Sequence, residues 1–335
     1  MTHPCLTSYR LGVEKLLNWA SSRHLDRCSA AELDGVVVTF FDEEFFKGAP
    51  VGEASRLLSA LKHFLPEVSK MGNAALPRAH RSLLSWTKKA LGQMRLPIPE
   101  LILMAIIGHC LWSRRFWSAV AFFMQFRTYL RPGAVDALRV KQLVPPTVIA
   151  GAHYAKWGLI LNPMEDKEAG KTGTFDDSII WDTELWMHSL FIKLTANRGP
   201  DERLWPHSGA EMMDHFMAAV SDLNLDQLRP CRYGLRHGGA SEDLLSGRRD
   251  HLAVKRRGGW RTDSSLKRYG KESRVLGEFK KVTPAVVEYG KVIQEQLEDL
   301  LVNGKLPPPP PRVGRLAPAA PAVQRRVRRR PAAAC

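Results

Sequence analysis

The sequence predicts a mostly α (α+β) protein of two domains, a helical first domain and a mixed α/β second domain with a small antiparallel sheet. Three observations carry this. The chain has 335 residues, enough for two cores at about 100–200 residues per domain. Apolar residues recur at helical spacing through most of its length. After Pro145 and Pro146 the pattern changes to short apolar runs separated by turn residues, as strands require.

The first domain, residues 1–91, holds four helical patterns. Leu11, Val13, Leu16, Leu17 and Trp19 begin the first; Leu33, Val36, Val37, Phe40, Phe41 and Phe45 mark the second. Leu57, Leu58, Leu61 and Phe64 mark the third, and Leu83, Leu84, Trp86 and Leu91 the fourth, with Gly and Pro breakers between the later ones. Residues 92–100 read as a linker, because Pro97 and Pro99 disfavour helix. The second domain, residues 101–302, opens with two apolar helices. Short strands are expected at 154–161 and 173–181, around a polar connection, and helix returns at 184–194. A last amphipathic helix is expected over 284–302, with Thr283 as N-cap and Pro284 at N1. Its apolar face, with Val286, Ile293, Leu297 and Leu300, can dock on a neighbouring copy or on its own domain. Residues 303–335, rich in Pro, Ala and Arg, read as a disordered basic tail.

Several classes are excluded at this level. Five cysteines (Cys5, Cys28, Cys110, Cys231, Cys335) lie far apart without a CxxC pair, so neither a disulfide framework nor a zinc cluster is expected. The most apolar stretches, 101–112 and 116–126, fall short of the roughly 20 residues that cross a bilayer. No membrane role is expected. The N-terminus lacks the basic and apolar regions of a secretory signal.

Charge supplies the first functional clue. The net charge is +15, and it is concentrated. Residues 229–281 carry 15 Lys/Arg against 6 Asp/Glu, and the tail carries eight basic residues and no acidic one. A solvated charge run would explain either segment alone; together they suggest a surface that faces a polyanion.

Four scattered pieces then form a pattern. An arginine stands before a helix at Arg131-Pro132-Gly133, and a lysine sits in the presumed hairpin at Gly170-Lys171-Thr172-Gly173. The third piece is Tyr233-Gly234-Leu235-Arg236-His237, and the fourth is Gly258-Gly259-Trp260, followed nine residues later by Tyr269. Across roughly residues 10–290 this resembles the tyrosine recombinase (phage-integrase-like) family, which has an arginine opening a helix, a hairpin lysine, an H-x-x-R box, a G-(H/W) and a nucleophilic tyrosine. The interval from Trp260 to Tyr269 is typical of that family, and the 24 residues from Arg236 to Trp260 also fit.

The resemblance implies roles. Arg131 and Arg236 would bind the non-bridging oxygens of a scissile phosphate, where planar, permanently charged guanidinium forks suit the developing charge. Tyr269 would be the nucleophile, its phenol, with an ordinary pKa of about 10, made reactive by nearby cations. The 3′-phosphotyrosine so formed keeps the bond energy, so no ATP, metal or other cofactor is needed. Lys171 would protonate the leaving 5′ oxygen, with Lys167 as the alternative, and Trp260 would donate its indole N–H to the phosphate. Tyr289 is the rival nucleophile, without the G-(H/W) spacing. Each of these residues has a plainer reading, as surface arginine or core aromatic. Two departures stand out: Tyr233 replaces the first histidine of the box, and Ala134 stands where an acidic residue usually supports the first arginine.

The expected function is DNA cleavage and rejoining, as in site-specific recombination or the integration of a mobile element. The alternatives are a catalytically silent DNA-binding descendant, a type IB topoisomerase-like enzyme, and a helical transcription regulator. Double-stranded DNA is the expected partner, bound by a homo-oligomer, with no small-molecule substrate. The first domain would be a core-binding-like clamp, using Arg56, Lys62, His63, Arg78, Arg81, Lys88 and Lys89. The expected compartment is the nucleus if the source is eukaryotic, and otherwise the nucleoid.

Overall fold

The computed structural model describes residues 3–25, 29–69, 72, 74–90, 96–147, 149, 151, 155–167, 175–263 and 272–312. The protein is mostly helical with one three-stranded antiparallel sheet, and it divides into two compact units, residues 1–94 and 95–335.

The first unit contains α1 (His3–Ser21), α2 (Ala30–Phe46), α3 (Val51–Phe64) and α4 (Pro77–Lys89). Leu16, Trp19, Val37, Phe41, Leu58, Leu61 and Trp86 meet in its core, so the apolar repeat of each helix faces inward. A capping box starts α2: the Ser29 hydroxyl accepts from the Glu32 N–H, and the Glu32 carboxylate accepts from the Ser29 N–H at 2.8 Å. Helix α4 has Pro77 in its first turn and no side-chain cap of its own. Asp34, buried on α2, supplies one by accepting the N–H groups of Arg78 and Ala79 at 2.9 and 2.8 Å. Arg78, Arg81, Lys88 and Lys89 on α4 are exposed and, among the described residues, form no salt bridge.

The second unit runs through α5 (Glu100–Trp112), α6 (Phe116–Thr128), α7 (Pro132–Asp136), β1 (Leu143–Val144), β2 (Gly158–Leu161), β3 (Asp177–Ile180), α8 (Met187–Thr195), α9 (Gly209–Asp222), α10 (Tyr233–Leu245), α11 (His251–Arg257), α12 (Glu272–Phe279), α13 (Pro284–Glu295) and α14 (Leu297–Leu301). Helices α5 and α6 are buried almost all round, as their continuous apolar sequences require. The strands follow the order β1-β2-β3 and are shorter than expected. Leu159 pairs with Ile179, and both turn to the core beside Trp157 and Trp181.

The last helix differs from its expectation. It breaks at Gln296 into α13 and α14, and its apolar residues Val286, Tyr289, Ile293, Leu297, Leu300 and Leu301 are buried within their own unit. Of its two possible destinations, this face takes the intramolecular one. Gly290 makes the approach to α5 possible, since a Cβ there would stand 2.2 Å from the Leu101 carbonyl oxygen. The expected linker also packs in part: Ile98 is buried, and its N–H donates to the Gly234 carbonyl at 3.2 Å. Residues 303–312, which composition assigned to the unfolded tail, carry no regular secondary structure but have a defined path. The Pro308 carbonyl accepts from the Tyr289 hydroxyl at 3.2 Å, so a proline run without internal hydrogen bonds gains an anchor. Among the described residues no helix is long and apolar enough to cross a membrane.

Gly290→Ala places a methyl against backbone that cannot swing aside. It should destabilise the second unit by about 1–3 kcal/mol, read as a lowered urea midpoint; an unchanged midpoint would show that α13 moves freely over α5.

Candidate functional site

The turn that ends α6 is the start of the site. Tyr129 takes a left-handed conformation at φ 54°, unusual for a residue with a side chain. Its ring is buried, its hydroxyl donates to Asp243, and its carbonyl accepts from the Arg236 guanidinium. Burial, then the Asp243 carboxylate, raises the phenol's pKa above its ordinary value, so the hydroxyl stays a donor. Two residues on, Arg131 is the N-cap residue of α7, with Pro132 in the first turn. A residue before proline is held extended, so local sequence places this arginine outside the helix end.

Arg236 lies in the first turn of α10 and is 3% exposed. Besides the Tyr129 carbonyl it reaches the Gly258 carbonyl at 2.6 Å, and its guanidinium carbon sits 4.6 Å from the Trp260 ring centre. Gly239 allows α10 this close to α6, since a Cβ there would collide with the Phe126 carbonyl oxygen.

Asp136, at the end of α7, meets Arg232, the residue just before α10, in a two-pronged pair at 2.6 and 3.1 Å. Arg232 is 1% exposed. The support missing at Ala134 thus has a counterpart two residues later. It does not touch Arg131; it ties the short helix that Arg131 opens to the helix that carries Arg236.

These elements enclose a cavity of about 510 Å³ lined by six arginines, Arg131, Arg139, Arg203, Arg236, Arg256 and Arg257. Among the described residues, Asp166 and Asp177 are its carboxylates, and Asp166 is paired with Lys141 at 2.5 Å. Among the described residues, the guanidinium groups of Arg131, Arg203 and Arg256 have no hydrogen-bond or ion-pair partner. Arg257 is held from behind, donating to the carbonyls of Arg127 and Ile180 at 2.9 and 3.0 Å. Its Nη2 is buried without a hydrogen-bond partner among the described residues. Burial, then the nearby Arg249, lowers its pKa below the usual arginine value. Six arginines on the wall of one cavity make it complementary to an anion.

The six residues singled out from sequence are distributed unevenly. Arg131 and Arg236 line the same cavity. Trp260 lines a neighbouring one and is stacked at 6.2 Å on Tyr129. Tyr233 lines neither, and its ring meets His237 edge-on at 5.1 Å. Lys171 and Tyr269 lie outside the described residues. Lys167 is exposed at φ 54° and does not line the cavity. Tyr289 is a core residue, 7% exposed, whose buried phenol is raised in pKa. Sequence reasoning did not single out Arg139, Arg203, Arg256 or Arg257. Arg139 and Arg203 meet through an antiparallel bridge between segments more than sixty residues apart, for which no local pattern exists. The cluster Lys255-Arg256-Arg257 was visible as charge, but not as a wall. Among the described residues no group of three or more His, Cys, Asp or Glu is placed to hold a metal ion.

Neither known protein families nor curated proteins provide a match to this chain.

Asp136→Ala leaves the Arg232 charge buried and uncompensated, and should cost about 3–5 kcal/mol of stability. Replacing both partners with apolar residues (Asp136→Leu with Arg232→Met) should recover most of it. Denaturant midpoints of the two variants check this; equal losses would mean that the pair does not act as a unit.

Proposed function

We propose that this protein cuts and rejoins double-stranded DNA through a covalent 3′-phosphotyrosine, in the manner of the tyrosine recombinases. The observation that carries this reading is the cavity of six arginines, in which Arg131 and Arg236, chosen from sequence, stand together. A phosphodiester passing through a pentacoordinate transition state gathers charge on its non-bridging oxygens, and preorganised guanidinium forks stabilise that charge. In the proposed step the Tyr269 phenol gives up its proton to water, its oxygen bonds to phosphorus, and the bond to the 5′ oxygen breaks. Lys171 gives a proton to that leaving oxygen. Return of the 5′ hydroxyl reverses the step and releases the tyrosine. The exposed cations of α4 support a second contact to DNA by the first unit. Copies assembled on DNA would use a surface other than the apolar face of α13 and α14, which is already covered.

A second reading, a silent DNA-binding descendant, is favoured by Tyr233. A phenol replaces the imidazole of the box, and this one does not line the cavity.

Duplex binding should weaken steeply with salt, with a log–log slope of magnitude about 4 or more. Fluorescence anisotropy checks this, and no binding at ~50 mM salt would overturn both readings. A nicked suicide duplex separates them. Wild type should form a denaturant-resistant adduct that Tyr269→Phe abolishes while binding persists, and Arg236→Lys should slow its formation by on the order of 10²–10³. If neither wild type nor Tyr233→His forms an adduct, the silent reading stands.

A further inference from the structure

Next to the arginine cavity lies a second one of about 270 Å³, lined by Asp177, Leu252, Lys255, Arg256, Gly259, Trp260 and Arg261. The two share Asp177, Arg256 and Gly259. No side chain divides them at Gly259, where, among the described residues, nothing lies within 4 Å of the position a Cβ would take. The cavities therefore form one trough, with Arg256 at the junction.

The chemistry of the second cavity matches the unit that repeats along a nucleic-acid strand. Arg256 brings an exposed guanidinium without a partner among the described residues. Arg261 adds a second exposed cation, and Lys255 a third that is balanced by Asp263 at 2.5 Å. Leu252, 52% exposed, and the Trp260 ring offer an apolar wall. Solvent-exposed apolar surface beside unpaired guanidinium suits a sugar attached to a phosphate better than it suits a free inorganic anion. The Trp260 ring is fixed there by the Arg236 guanidinium on its face and by Tyr129 stacked against it, so the wall is rigid before any ligand arrives.

Resting on the strand-cleavage reading, we propose that this second cavity is a subsite for the nucleotide next to the scissile phosphate. The trough grips two consecutive phosphates of one strand: Arg131 and Arg236 hold the first, Arg256 holds the second, and Trp260 with Leu252 carries the intervening sugar. The Gly258-Gly259-Trp260 motif then has a use beyond one phosphate contact, because it builds the bare passage between the two subsites.

The test uses thymidine oligomers that differ only in phosphate number, TpT with one and TpTpT with two, titrated into the full chain at low salt by NMR or calorimetry. Two registers on a single-phosphate site would raise affinity only about twofold on statistical grounds. Two subsites should give TpTpT about tenfold or more over TpT, the worth of one added charge-assisted contact. Arg256→Gln should remove most of that gain and change TpT by less than about twofold, whereas Arg131→Gln should weaken both ligands. Among the described residues the Arg256 guanidinium has no partner to lose, so its variant should unfold at the wild-type midpoint. A gain of only about twofold in wild type, or an equal loss of TpT and TpTpT in Arg256→Gln, would overturn the subsite. The covalent adduct on nicked duplex is measured in parallel. If it forms while the oligomer pattern fails, the subsite alone falls; if TpT, TpTpT and duplex all fail to bind, the strand-cleavage reading falls with it.

Discussion

The buried guanidinium of Arg236 is the constraint on which the proposed site depends. A cation that is 3% exposed must replace lost water with acceptors, and Arg236 takes the carbonyls of Tyr129 and Gly258. Those carbonyls belong to the turn that leads into Arg131 and to the loop that leads into Trp260. Solvating one charge therefore brings three segments together: the end of α6, the first turn of α10 and the end of α11. The left-handed Tyr129 is affordable in this setting because its hydroxyl, ring and carbonyl are all engaged.

Around this centre, charges fall into two layers. Behind the cavity, arginines are neutralised: Arg232 by Asp136, Arg248 and Arg249 by Asp243, and Arg249 and Arg257 by Asp182. These pairs hold helices and loops in register. At the cavity wall the balance is reversed, with six arginines and two carboxylates among the described residues. Like charges gathered at one wall oppose folding, and Arg257 belongs to both layers, lining the cavity and paired behind it with Asp182 at 3.5 Å. Such an arrangement is best explained by an anion that completes it, and the proposed reading makes that anion a DNA phosphate.

Much of the scaffold was legible because it rests on local rules. Unbroken apolar runs at 101–112 and 116–126 can only be satisfied by burial, and α5 and α6 are the buried centre of their unit. Helical periodicity marked α1 to α4, and Gly and Pro marked the breaks between the later ones. Boundaries were less legible where a distant group decides them. Asp34 starts α4 from another helix, and the packing of α13 against α5, with α14 in the same core, covers an apolar face whose destination the sequence left open.

For the site, sequence alone determined the residues that carry their geometry with them. Pro132 holds Arg131 extended at a helix start. Tertiary structure decided which arginines share a cavity. The bridge of Arg139 to Arg203, the pairing of Asp136 with Arg232 and the position of Tyr233 against His237, clear of the cavity, each depend on where α10, α11 and the sheet come to rest. Local backbone preference acts over a few residues, whereas a charge buried in a core selects its partner across about a hundred positions of chain by proximity and desolvation alone.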